Sequence, residues 1–211
     1  MKKIALLALC AAPVMAGTPI ITPAPAPAPA PVVSPWAIEI GAIGNLANRN
    51  IDHEGITEAI DTYGADLTGI YNITENHAIT LRFSYAYGSE VIRYNFGPNE
   101  DFSYRGELTN FSIMPGYRYT TAVTDKLSAF AGASIGFTHE RQTWIFDREE
   151  KDSANDWGLG YAAEIGVSYA LCPKTALYAA VQYSGNSASH GKFDTKKQSY
   201  TGLRVGVNYK F

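Results

Sequence analysis

The most regular feature of the chain is an apolar residue at every second position, in eight runs separated by polar breaks. Alternation with a period of two is typical of β-strands that bury one face. The runs cover residues 36–42, 63–73, 79–87, 111–119, 127–137, 157–169, 177–183 and 203–211. The pattern therefore predicts eight strands that follow one another along the chain.

The two faces of these strands differ sharply. The alternating apolar positions carry no charge, whereas the positions between them are mostly glycine, alanine, serine and threonine with a few charged residues. The charged residues of this second face are Glu39, Asp66, Arg82, Arg118, Glu164, Arg204 and Lys210. One face of the predicted sheet is thus bulky and apolar, and the other is small and polar.

Alternation alone fits both a soluble barrel with an apolar lumen, as in a lipocalin, and a membrane barrel with lipid outside. The polar face favours the membrane barrel, because its small side chains suit a cramped interior better than a solvated surface. Aromatic residues on the apolar face gather at both strand ends, as at the two interfaces of a bilayer. They are Trp36, Tyr71, Tyr117, Tyr119, Tyr169, Tyr209 and Phe211 at one end, and Tyr63, Tyr85, Tyr87, Phe111, Phe137, Trp157 and Tyr183 at the other.

The connections between runs alternate in length. Those at residues 74–77, 120–126 and 170–176 are short, and the others are long. Short turns on one side and long loops on the other are typical of outer-membrane barrels, with both termini on the periplasmic side. Every backbone group must be paired inside hydrocarbon, so eight such strands have to close into a barrel.

The first part of the chain has a different pattern. Lys2 and Lys3 precede an apolar stretch, and Ala16 ends a cleavage-type sequence, which predicts a signal peptide over residues 1–16. Residues 17–34 are rich in proline and alanine and predict an extended periplasmic spacer. Residues 35–211 then form the barrel domain. Cys10 follows Leu9 instead of a small residue, which disfavours lipid attachment.

Composition narrows the function classes. The 211 residues carry a formal net charge of −3, so a nucleic-acid partner, which needs a basic face, is not expected. Loss of the leader leaves Cys172 as the one cysteine, and hence no internal disulfide. We expect no cofactor and no metal, because none of the four histidines has metal-ligand spacing.

The C-terminal run ends in alternating apolar residues, with Val207, Tyr209 and a terminal Phe211. It resembles the assembly signal of bacterial outer-membrane proteins, and residues 35–211 resemble the small eight-stranded barrels of the OmpA/OmpX type. The resemblance implies a closed antiparallel eight-stranded transmembrane up-and-down β-barrel in the bacterial outer membrane. It also implies outer-membrane lipid, lipopolysaccharide and the assembly machinery as partners.

The charges of the polar face predict a paired network in the lumen, because isolated charges there would be costly. Asp66 with Arg82 is the first expected pair, and Glu39 with Arg204 or Lys210 is the second. We expect this network to plug the barrel; a narrow porin is the alternative. Pro115 lies inside the fourth run and predicts a bulge or a loss of ladder pairing.

The long loops hold aromatic residues that are candidate contacts for a surface partner: Tyr94, Phe96, Trp144 and Phe146. The alternative is that the strands continue as hairpins that bury these rings. Ser187, Ser189 and His190 lie together, but proximity in sequence is weak support for a lipid A hydrolase triad. The sequence therefore predicts a non-enzymatic, envelope-stabilising barrel with surface loops for interaction or adhesion.

Overall fold

Ten β-strands make up most of the residues that the structure, a computed structural model, describes. These residues are 34–47, 51–52, 55–56, 60–95, 101–146, 150–187 and 199–211. The strands are β1 Trp36–Ala47, β2 Ile51–Asp52, β3 Gly55–Ile56, β4 Thr62–Asn72, β5 His77–Asn95, β6 Asp101–Ala122, β7 Leu127–Phe146, β8 Glu150–Cys172, β9 Thr175–Asn186 and β10 Ser199–Lys210. The predicted signal peptide, the spacer up to residue 33, Phe96, Ser189 and His190 lie outside the described residues.

Eight strands close into a barrel in the order β1-β10-β9-β8-β7-β6-β5-β4, and every neighbouring pair is antiparallel. The seam between the first and last strands is paired from Ala37 with Lys210 to Ala47 with Tyr200. β2 and β3 form a separate two-stranded pair. The predicted closed eight-stranded, up-and-down barrel is therefore confirmed. No helix among the described residues is long and apolar enough to cross a bilayer.

Alternation along each strand separates outward from inward side chains. Outward residues such as Ile40, Ile165 and Leu203 are 61–65% exposed, whereas the inward Glu39 and Arg204 are 2% and 1% exposed. The apolar face thus lies on the outside of the barrel and the polar face in the lumen. A water-soluble carrier would have the opposite arrangement.

Four of the strands extend beyond the barrel wall. β5, β6, β7 and β8 have 19 to 23 residues, against 11 or 12 in the other four barrel strands. Pairing with β4 ends at Tyr87 and pairing with β9 begins at Gly160, but the four long strands stay paired with one another beyond these points. We call this extension the projecting sheet. The eight predicted runs end before the projecting sheet. The alternative prediction, in which the strands continue as paired hairpins, matches it.

Two of the three short turns at the opposite end are built alike. Thr74 Oγ1 accepts hydrogen bonds from the N–H groups of Asn76 and His77, at 3.3 and 3.1 Å. Thr124 Oγ1 accepts the same pair from the second and third residues after it, at 3.3 and 3.0 Å. The Asn76 side chain also donates to the carbonyl of Thr120 at 2.8 Å, which ties one turn to the next strand. Threonine thus fixes both turns through its hydroxyl group.

Pro115 keeps its place in the β5–β6 ladder, opposite Leu81. Ladder pairing with β7 stops after Ile113 and resumes at Gly116 in the same register. The predicted loss of pairing is therefore confirmed and the predicted bulge is not. Proline has no N–H group to donate, so the ladder is interrupted without an extra residue in either strand.

Candidate functional site

Six charged side chains from six different strands meet in the lumen, and we call them the ionic layer. Each is at most 7% exposed. Its members are Glu39 on β1, Asp66 on β4, Arg82 on β5, Arg118 on β6, Glu164 on β8 and Arg204 on β10. Period-two alternation places all of them on the inward face of the barrel.

Glu164 is the centre of the ionic layer, because all three arginines bind its carboxylate. Arg82 Nη2 donates to Oε2 at 2.6 Å, and Arg118 Nη2 donates to Oε1 at 2.9 Å. Arg204 Nη1 donates to Oε2 as well. One carboxylate thus connects strands from opposite sides of the barrel.

The other two acids complete the layer. Glu39 accepts two bonds from Arg118, at 2.5 and 3.0 Å, in a bidentate pair. Asp66 accepts a bond from Arg204 Nη2, which also lies 3.9 Å from Glu39 Oε2. Three acids therefore face three arginines, so the layer is neutral as a whole. Breaking one pair of such a buried set costs about 3–5 kcal/mol, because the remaining charge stays desolvated.

The predicted pairing was only partly correct. Asp66 binds Arg204 and Arg82 binds Glu164, so the predicted Asp66–Arg82 ion pair is wrong. The two residues lie on adjacent strands, but an arginine side chain is long enough to reach across this narrow lumen. The predicted pair of Glu39 with Arg204 is confirmed.

Lys210 does not belong to the ionic layer. It is the last residue of β10 and is exposed, although it has the inward parity of Arg204. At the end of a strand the lumen opens to solvent, so this ammonium group stays hydrated there. Its predicted place in the charge network was therefore wrong.

Neutral residues that sequence reasoning missed complete the layer. Gln182 accepts a bond from Arg82 Nη1 at 2.7 Å, and Asn208 donates to Glu39 Oε1 at 3.2 Å. The Arg118 guanidinium lies 4.4 Å from the centre of the Phe130 ring, and that of Arg204 lies 5.4 Å from the Tyr178 ring. Phe130 and Tyr178 are large apolar residues on a face of otherwise small, polar residues. This difference in size was the one feature of the sequence that could have assigned them to the ionic layer.

Apolar clusters lie on both sides of the ionic layer. Ile60, Leu108 and Tyr200 form a buried cluster at the long-hairpin end, and Ala37, Ile70 and Ala78 form another at the short-turn end. A Cβ atom on Gly106 would lie 2.9 Å from Ile60 Cδ1, so the glycine allows this close approach. Side chains thus fill the lumen at three levels.

The candidate loop contacts have different places. Trp144 is buried, which contradicts its predicted role as an exposed contact and agrees with the hairpin alternative. Its ring lies over Gly106, where a Cβ atom would be 2.5 Å from Trp144 Cζ3. Tyr94 lies on β5 opposite Phe102, and Phe146 ends β7. The side chains of Tyr94 and Phe146, like Phe96, lie outside the described part of the chain.

The three residues of the predicted assembly signal lie at the end of the chain. Val207 and Phe211 are exposed, and Tyr209 is half-buried. The Tyr209 and Phe211 rings contact each other edge to face, with centroids 5.4 Å apart. All three therefore leave apolar surface on the outside of the barrel.

Comparisons with known proteins agree with this geometry. Ail, the attachment invasion locus protein of Yersinia pestis, matches with a TM-score of 0.54 at 15% identity, over 84% of this chain and 99% of that one. Neisserial surface protein A matches with a TM-score of 0.53 at 15% identity, over 85% and 99%. OprG from Pseudomonas aeruginosa matches with a TM-score of 0.50 at 15% identity, over 85% and 97%.

The comparison with curated proteins finds no match. The family profile described as "Outer membrane protein beta-barrel domain" matches residues 4–211. With its closed eight-stranded barrel and outward apolar face, the chain belongs to the family of outer membrane β-barrel proteins.

Proposed function

We propose that this barrel is a non-enzymatic structural protein of the bacterial outer membrane that spans the bilayer and contacts partners through its long hairpins. The observation that carries the proposal is the ionic layer, which joins six strands across the lumen while the outer wall is apolar. Ion pairs between distant strands stabilise the closed form of the wall. The arrangement suits a plugged scaffold better than a pore.

The same proposal includes an orientation. The projecting sheet would lie outside the cell, and both ends of the barrel domain would lie in the periplasm, as is usual for outer-membrane barrels. Lipopolysaccharide and outer-membrane lipid would then surround the barrel. Val207, Tyr209 and Phe211 would serve the assembly machinery as the recognition signal.

Measurements of ion conductance test whether the ionic layer and the apolar clusters block the lumen. We expect the refolded protein in planar bilayers to give no large, stable single-channel conductance, because side chains fill the lumen. Arg82→Ala is expected to lower the melting temperature without opening a pore, since Arg118 and Arg204 still hold Glu164. A large conductance in the unmutated protein would favour the narrow porin instead.

Adhesion is a second candidate function, and the projecting sheet favours it. One solved structure of Ail contains the heparin analogue sucrose octasulfate, so a barrel of the same fold binds a sulfated sugar. We propose that the hairpins of this chain also contact a surface ligand. Trp144 is not expected to touch that ligand directly, because it is buried against Gly106.

Shortening the hairpin tests adhesion. Thr143 pairs with Ser153, so deleting residues 143–153 and joining the ends with Asn-Gly removes the tip without changing the register. The matched control removes residues 89–107, since Ser89 pairs with Glu107 on the other hairpin. We expect the deletion of residues 143–153 to abolish the binding of purified protein to cells and the control deletion to leave it unchanged. Equal binding by both deletions and the parent protein would contradict adhesion through the hairpins.

We also propose that the protein has no lipid A hydrolase activity. Ser187 Oγ accepts a hydrogen bond from the N–H group of Leu159 at 2.9 Å, so its hydroxyl helps to fix the end of β9. Expression is expected to leave the number of lipid A acyl chains unchanged, as measured by mass spectrometry. The loss of an acyl chain would contradict this assignment.

A further inference from the structure

The outward faces of β6, β7 and β8 change from apolar to polar within four residues, where the barrel wall gives way to the projecting sheet. Three successive rows run across β5, β6, β7 and β8 in direct register. The first row is Phe83, Ile113, Phe137 and Leu159; the second is Tyr85, Phe111, His139 and Trp157; the third is Tyr87, Thr109, Arg141 and Asn155. Rows of this kind mark the depth at which hydrocarbon gives way to headgroups.

Arg141 is the first charge above this boundary. On the outward faces of β6, β7 and β8, no described side chain between the short turns and Arg141 is charged. Arg141 is exposed, and it lies directly above His139, whose ring is 4.8 Å from that of Trp157. With the barrel oriented as proposed, Arg141 would lie at headgroup depth, one row above the His139–Trp157 ring pair.

The neighbours of Arg141 are hydrogen-bonding groups. Thr109 is its register partner on β6 and Asn155 its register partner on β8, so a residue with a hydroxyl group and one with an amide group flank Arg141 on the same face of the sheet. Arginine binds phosphate with two parallel N–H donors, and hydroxyl and amide groups add further bonds to phosphate oxygens. Glu107 lies one row higher, so an anion is expected on the membrane side of Arg141.

We propose that Thr109, Arg141 and Asn155 form a binding site for the phosphate group of an outer-leaflet lipid headgroup. The charge of the site and its depth together select this occupant, because a phosphorylated lipid presents its phosphate one row above the aromatic belt. The neighbouring aromatic row favours a ligand that is anchored in the membrane over one that is free in solution. The inference rests on the proposed function, since that function places this row at the outer leaflet.

Binding of lipid A to the full barrel in detergent tests the site. The probes are bisphosphorylated lipid A and the same lipid after removal of its phosphates, and native mass spectrometry gives the apparent Kd. We expect Arg141→Gln to weaken binding of the phosphorylated lipid about tenfold, as befits the loss of a charge-assisted contact. Arg141→Lys should recover part of this loss, and Asn155→Ala should weaken binding about threefold.

Arg105 provides the matched control. It is also an exposed arginine on the outward face, opposite Ile145, four residues and about 13 Å further along the strand direction. Arg105→Gln should bind phosphorylated lipid A as the parent protein does. The dephosphorylated lipid should bind more weakly and should not respond to Arg141→Gln.

Three results would overturn the site. They are unchanged binding by Arg141→Gln, equal weakening by Arg105→Gln, or equal binding of the two lipids by the parent protein. Heat-modifiable gel migration of every variant checks that the barrel is folded, and Asn155→Ala remains as a test if Arg141→Gln does not fold. Failure of the proposed function is distinguishable, because insertion of the parent protein into lipid vesicles is measured in a separate experiment without lipid A.

Discussion

Glu164→Gln removes one negative charge from the ionic layer while keeping the size and shape of the side chain. The parent carboxylate binds Arg82 and Arg118 at 2.6 and 2.9 Å, and also Arg204. After the change, three buried arginines face only Glu39 and Asp66, so the layer carries one uncompensated positive charge. Removing one partner of a buried pair costs about 3–5 kcal/mol, and we expect a loss of unfolding free energy in this range.

Urea unfolding of the barrel in lipid vesicles measures this loss, with heat-modifiable gel migration as the check on folding. Glu164→Gln combined with Arg82→Gln is the matched control, because it restores neutrality in the layer. We expect the double variant to be more stable than the sum of the two single losses predicts. A loss below about 1 kcal/mol for Glu164→Gln, or strict additivity in the double variant, would refute the view that the layer holds the strands together.

Two further predictions concern the wall and the turns. Ile165→Lys places a charge on the lipid-facing belt and should lower the unfolding free energy in vesicles by about 2–4 kcal/mol, whereas Val91→Lys, beyond the aromatic row, should change it by less than about 1 kcal/mol. Thr124→Ala removes the hydroxyl group that accepts two turn N–H bonds and should cost about 1 kcal/mol in the same assay, while Asp125→Ala in the same turn should cost less. Equal losses within either pair would contradict the assigned positions.

The period of two was enough to predict the strands, their faces and the closed barrel. An apolar outer wall and a small, polar lumen leave opposite signatures at alternate positions, so Ile165 and Glu164 could be assigned to different sides from the sequence alone. The upper ends of β5 to β8 were harder to predict, because most of their outward residues are no longer apolar. Arg141 and Asn155, which pair with each other, are polar where the strands below them are apolar, and the predicted runs end just below them.

The lumen could be predicted in composition but not in pairing. Sequence reasoning assigned the charged members of the ionic layer, because within the eight predicted runs only inward positions carry charge. Which acid meets which arginine depends on reach across the barrel, and Arg82 bypasses Asp66 on the next strand to bind Glu164. Lys210 is exposed because the lumen opens to solvent at the end of β10. The alternation of apolar and polar residues predicts which face a side chain is on, but not whether that face is open to water.

The central claim is that lipid contacts the apolar outer face, and a spin label on that face tests it most directly. Ile165→Cys in a Cys172→Ser background places the label in the middle of the belt, and collision rates with oxygen and with a water-soluble nickel chelate report its surroundings. We expect frequent collisions with oxygen and rare collisions with the chelate in reconstituted bilayers. Frequent collisions with the chelate, or a folded barrel that stays soluble without detergent, would contradict the account.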